Sequence, residues 1–177
     1  MNYWAGDSSK RTFNNTSHKR PETDNQNHLD LFDALMQRDY RAVKELMLKG
    51  VDPCEKISAG ETALHYAARA GCGTDIFHLL FSYGAEDAVS IKNRDDYMTP
   101  LHYACENCDA DVVRLLLEKG ANANQGTKMD ITPLHLVAKT NNIDIAKTLI
   151  DFGADHDKAL DRSERTPIFE AVRMGQY

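Results

Sequence analysis

Two short motifs recur along this chain with one period, and that recurrence limits its possible folds more than any other feature. The segments TALHYAA, TPLHYAC, TPLHLVA and TPIFEAV begin at Thr62, Thr99, Thr132 and Thr166, at intervals of 37, 33 and 34 residues. In step with them, LMLKGVDP, LFSYGAED, LLEKGANAN and LIDFGADH place glycines at 50, 84, 120 and 153, separated by 34, 36 and 33 residues. Interleaved markers at an interval of this size belong to stacked units, each too small to close a core by itself.

Each unit resolves into two short helices and a polar connection. Thr99 offers a hydroxyl N-cap, and Pro100 sits at the first helical position, where its missing N–H costs nothing. Leu101, Ala104 and Cys105 follow at helical spacing. Val112, Val113, Leu115, Leu116 and Leu117 mark a second helix, which Gly120 ends in the left-handed conformation. The polar stretch from Ala121 to Ile131 then runs extended to Thr132. Helices this short are marginal alone in water, so their apolar sides must meet those of neighbouring units. Each leucine buried in this way contributes about 1.5 to 3 kcal/mol. Small residues at Ala67, Ala68, Ala104 and Ala138 let neighbouring inner helices approach closely.

With this period and its T-P-L-H motifs, the sequence resembles the ankyrin repeat family over about residues 29 to 177. The resemblance implies an all-α solenoid of helix-turn-helix units joined by extended or hairpin loops. It divides the chain into a capping repeat at 28–53, repeats at 54–88, 89–123 and 124–157, and an incomplete repeat at 158–177. In the cap, Leu31, Leu35, Val43, Leu46 and Met47 supply the apolar faces. Residues 1–27, rich in Asn, Ser, Thr and charge, are expected to be a disordered tail. The resemblance also implies that His65, His102 and His135 form hydrogen-bonded bridges between adjacent repeats, a role that Phe169 cannot continue.

Departures from regularity carry their own expectations. From Gly84 to Thr99 is 15 residues, against 12 from Gly50 to Thr62 and from Gly120 to Thr132, so AEDAVSIKNRDDYM should project further than its neighbours. A further residue is inserted at Gly71-Cys72-Gly73. Where the family usually has a loop glycine, this chain has Gly60, Tyr97, Asp130 and Glu164, and only Gly60 tolerates positive φ freely. The later loops are therefore expected to lose the regular hairpin. The last motif is followed by no second helix, which suggests the front of a longer protein or an end covered by a partner.

Composition narrows the function. A net charge of −6 shows no basic excess for nucleic acid, and no apolar run approaches the ~18 residues that cross a bilayer. The first 28 residues contain no apolar core of a secretory signal, so the expected location is the cytosol or nucleus. SHKRPE, with Lys10-Arg11 upstream, is weakly reminiscent of a nuclear import signal. No phosphate-binding glycine loop, H-E-x-x-H or G-x-S-x-G elbow occurs, which argues against an enzyme and gives no cofactor. The C-x-x-C at Cys105 and Cys108, with Cys72 one repeat earlier, keeps a competing class open: a thiol or zinc protein. The favoured reading makes these cysteines small hydrophobes on helix positions.

Ankyrin proteins generally bind folded protein partners on the loop tips and the exposed side of the inner helices, and the resemblance places that face on positions flanking each repeated threonine. These are Asp95, Asp96, Tyr97, Met98, Glu106 and Asn107 in one repeat; Lys128, Met129, Ile131, Lys139 and Thr140 in the next; and Arg162, Arg165, Arg173 and Met174 in the last. Charge changes from acidic to basic along this face, and Tyr97, Met98, Met129 and Ile131 are apolar groups at loop positions. A non-catalytic adaptor, scaffold or inhibitor follows, one version being a short inhibitor of NF-kappa-B/Rel-type transcription factors. Asn124, with Leu116 eight residues before it, weakly resembles the asparagine hydroxylated in some ankyrin repeats, but Asn122 and Ala123 replace the usual acidic-aliphatic pair.

Overall fold

Apolar residues recurring at helical spacing, punctuated by threonine and glycine, produce α-helices in pairs. The computed structural model describes residues 22–158 and 165–173. Among these, the helices are α1 (Glu22–Met36), α2 (Tyr40–Leu48), α3 (Ala63–Ala70), α4 (Thr74–Ser82), α5 (Pro100–Asn107), α6 (Ala110–Glu118), α7 (Pro133–Thr140), α8 (Ile143–Asp151) and α9 (Pro167–Arg173). The odd-numbered helices stack into an inner layer and the even-numbered ones into an outer layer. Leu31, Leu35, Leu64, Phe77, Leu80, Leu101, Leu116 and Leu149 lie fully buried between the layers. The result is an all-α ankyrin-repeat solenoid.

Caps explain where the helices begin and end. Asp39, Asp109 and Asn142 each stand at the N-cap of an outer helix and accept from the backbone N–H groups of Ala42, Val112 and Ile145. The glycines that set the period, at 50, 84, 120 and 153, all have positive φ just beyond the outer helices. Helix α1 starts at Glu22, inside the stretch 1–27 expected to be a tail; residues 1–21 lie outside the described residues.

The extra residues after Gly84 do not form a projecting loop. Nine residues separate Gly84 from Asn93, where seven separate Gly50 from Ile57 and Gly120 from Thr127. The two additional residues coil into a 3-10 turn, Ala85–Ala88, which buries Ala85, Ala88 and Val89 against α3 and α4. Only one residue of the insertion enters the following connection. The expectation of a long protrusion fails because apolar residues at positions i, i+3 and i+4 gain more from burial than from solvent.

Gly71 ends α3 at φ +67°, and a Cβ there would stand 2.5 Å from the Asn107 carbonyl oxygen at the end of α5. Gly84 has φ +91° but open space within 4 Å. Gly71→Ala should therefore cost about 2 to 3 kcal/mol, backbone strain plus displaced helices, and Gly84→Ala about 1 kcal/mol from strain alone. Urea unfolding of the two variants checks this, and equal losses would refute a close α3–α5 approach.

Candidate protein-interaction face

The three fully described connections between repeats are hairpins. Ile57 donates to the Glu61 carbonyl at 3.0 Å, Asn93 to that of Met98 at 2.8 Å and Thr127 to that of Ile131 at 3.0 Å. Neighbouring tips are also joined, by Arg94 N–H to Ala59 O at 2.7 Å and Lys128 N–H to Asp96 O at 2.8 Å. Tyr97 (φ +61°) and Asp130 (φ +56°) take the left-handed conformation that Gly60 takes in the first hairpin. The expectation that these loops lose hairpin geometry is thus corrected, because tip-to-tip bonding imposes the turn on residues that do not favour it. Glu164 lies outside the described residues.

The motif histidines lock these hairpins onto the inner helices. A backbone N–H can only donate, so Thr62 N–H and Thr99 N–H, both at 3.1 Å from the histidine Nδ1 of the same motif, require that nitrogen to accept. The proton then sits on Nε2, which donates across the repeat boundary: His65 to Met98 O at 3.3 Å, His102 to Ile131 O at 3.2 Å and His135 to Arg165 O at 3.2 Å. Burial depresses the basicity of all three, that of His65 and His102 to about 4. They are neutral struts.

Two carboxylate knots stiffen the ends of the inner-helix face. Glu61, 2% exposed, accepts from the Arg69 guanidinium and from the Tyr103 hydroxyl at 2.9 Å. Arg69 also lies over the Tyr66 and Tyr103 rings. Asn93 donates to the Tyr103 hydroxyl at 3.1 Å and accepts from the Asp96 and Met98 N–H groups, so the knot reaches the hairpin tip. At the other end, buried Glu170 pairs with Arg165 and Arg173, each at 3.0 Å. Burial alone would raise its carboxyl; the hydrogen bonds and charge of Arg173, helped by Arg165, hold it below its ordinary value. Two arginines expected to offer positive charge to a partner are therefore engaged within the chain. Arg162 and Met174 lie outside the described residues.

Between the knots is a cleft of about 180 Å³ lined by Asp96, Met98, Glu106, Thr127, Lys128, Met129, Ile131 and Leu136. It gathers six residues assigned to the face from sequence: Asp96, Met98, Glu106, Lys128, Met129 and Ile131. Met129 is 73% exposed and Tyr97 is 47% exposed, with the Lys128 ammonium over the Tyr97 ring. Asp95 and Asn107 are exposed outside the cleft, Lys139 is half-buried, and Thr140 bonds back to Val137 O. Leu136 was missed, although its position after the motif histidine aligns it with Tyr66 and Tyr103.

The thiols in the turns after α3 and α5 have backbone partners. Cys72 donates to Leu35 O and Cys108 to Ala68 O, each at 3.4 Å, so each clips its turn to the preceding inner helix. Burial pushes Cys72 up to about 11, Cys108 up to about 12 and fully buried Cys105 higher still, away from the thiolate that metal binding and redox chemistry need. Among the described residues, no group of three or more His, Cys, Asp or Glu side chains is placed to hold a metal ion. Asn124 is likewise bound, donating to Gly153 O at 2.8 Å and accepting from Asp155 N–H at 2.7 Å.

Comparison with known proteins agrees with this architecture. A family model described as ankyrin repeats (3 copies) matches residues 31–127 and 123–177. Ankyrin repeat protein FPV244 of Fowlpox virus is 39% identical over 99 residues, 55% of this chain and 14% of that relative. The mouse B-cell lymphoma 3 protein homolog is 46% identical over 66 residues, 37% of this chain and 14% of its own length. The NF-kappa-B inhibitor cactus of Drosophila melanogaster is 37% identical over 68 residues, 38% of this chain and 13% of that relative. The chain thus matches only a small part of each relative's length. No helix among the described residues is long and apolar enough to cross a membrane. The chain belongs to the ankyrin repeat family, whose fold serves protein–protein binding and is generally non-catalytic.

Proposed function

We propose that this chain is a non-catalytic interaction module that presents the rigid cleft between its second and third hairpins to a protein partner, as adaptor, scaffold or inhibitor. The observation that carries this reading is exposed apolar surface on tips held by hairpin and tip-to-tip backbone bonds. Met129 stays in solvent, and Tyr97 stays in a conformation that costs an L-residue about 1 kcal/mol. A surface formed before binding loses little freedom on association. The motif histidines His65 and His102 and the thiols of Cys72 and Cys108 are hydrogen-bonded to backbone carbonyls of neighbouring repeats, which supports the non-catalytic reading.

Capture from host cell extract tests the proposal. Met129→Glu should fold like the wild type, within about 0.5 kcal/mol, and lose the specific prey. Lys147→Gln, on the outer helix α8, should keep it. Identical prey on all three baits would sink the assignment. The match to the NF-kappa-B inhibitor cactus favours a second, finer reading, binding to an NF-kappa-B/Rel-type dimer. Absence of binding to a purified dimer would dismiss that reading alone.

A further inference from the structure

Four residues occupy one repeated position on the inner helices, seven after each motif threonine: Arg69, Glu106, Lys139 and Arg173. The outer two are consumed, Arg69 by Glu61 and Arg173 by Glu170. The inner two are not. Glu106 makes no hydrogen bond or ion pair with any described residue and feels Lys139 only through space. It nonetheless lines the cleft beside Met98, Met129, Ile131 and Leu136, on the solvent-exposed side, and partial desolvation raises its pKa. Glu106 is exposed at the edge of an apolar cleft and has no donor of its own, so a cation brought by a ligand meets an uncompensated carboxylate there. The neighbouring Lys128 cannot serve, because its ammonium donates to Arg94 O at 2.9 Å and covers the Tyr97 ring. Asp95 and Asp96 at the rim add negative charge on the same side.

We propose that the cleft takes one aliphatic or aromatic side chain of a partner segment, with a lysine or arginine of that segment seated on the Glu106 carboxylate. This rests on the concave face being the interface and specifies the chemistry of what it binds. The apolar walls accept the anchor, and Glu106 selects for a basic neighbour over an acidic one.

The probe is a phage-displayed library of random twelve-residue peptides, panned on the full chain with counter-selection on Met129→Glu. Enriched peptides should pair Leu, Met, Ile or Phe with a nearby Lys or Arg. Synthetic copies should bind Met129→Glu at least about tenfold more weakly and the isosteric Glu106→Gln about fivefold more weakly, while Lys139→Gln binds as well as wild type. Enrichment of acidic peptides, dependence on Lys139 instead of Glu106, or no enrichment would each overturn the proposal. If Met129→Glu still loses its extract prey, the interface survives and only its stated chemistry fails. If that prey is unaffected, the interface reading itself is wrong.

Discussion

Lowering the pH from 7 to 5 is expected to destabilise the stack by about 4 kcal/mol through two histidines alone. His65 and His102 are buried with pKa about 4, against 6.5 for an ordinary histidine. Unfolded, each takes up a proton below pH 6.5; folded, each stays neutral until about pH 4. Their contribution is therefore complete above pH 6.5 and is lost as the pH falls towards 4. The full interval is worth about 3 kcal/mol per histidine, of which about 2 has gone by pH 5. Burial is the cause, and the geometry agrees with it: a proton on Nδ1 would face the Thr62 or Thr99 N–H, donor against donor. His135 and Glu170 shift in the sense that adds to acid sensitivity, and Glu106 in the sense that opposes it. Against a typical total of about 5 to 15 kcal/mol, the expected loss is large. Urea midpoints at pH 7, 6 and 5 measure it. His102→Gln should be less stable at pH 7 and show a shallower fall with pH; an unchanged wild-type midpoint between pH 7 and 5 would refute the account.

The parts legible in the sequence are those decided within one repeat. Thr99, Pro100 and His102 state a helix start locally, and the recurring glycines state where outer helices stop. Part of what escaped depends on contacts between repeats. Nothing local asks Tyr97 or Asp130 to adopt positive φ; the demand comes from tip-to-tip bonds such as Lys128 N–H to Asp96 O. Arg69 and Arg173 look in sequence like Glu106 and Lys139, charges on an exposed position; their partners Glu61 and Glu170 lie eight and three residues upstream in the same repeat, and the burial of those glutamates is what the sequence does not state. The 3-10 turn was readable in principle, since Ala85, Ala88 and Val89 already show helical spacing. The cleft was legible in six of its residues because hairpin tips flank the repeated threonine, whereas Leu136 required alignment at the position after the histidine.

Arg69→Met should cost about 3 kcal/mol, more than its partly exposed guanidinium suggests, because it strands the Glu61 carboxylate in a site 2% open to solvent. The methionine keeps the apolar stem between Tyr66 and Tyr103, so the loss reports the ion pair rather than the packing. Tyr103 and Asn93 still donate towards Glu61, which keeps the loss below that of a fully orphaned charge. Glu61→Gln should cost less, about 1 to 2 kcal/mol, since Arg69 can turn to water. The double variant should be more stable than the sum of the two losses implies, the mark of groups sharing one network. The consequence for function lies in the hairpin. Asn93 links the knot to the Asp96 and Met98 N–H groups, so Arg69→Met should speed hydrogen exchange at those two amides more than at Lys128, whose N–H is held by Asp96 O. Uniform acceleration along the chain would mean that the knot supports global stability only. Selective acceleration would show that the ion pair between Arg69 of α3 and Glu61 just before it, joined to α5 through Tyr103, holds one wall of the proposed cleft in place.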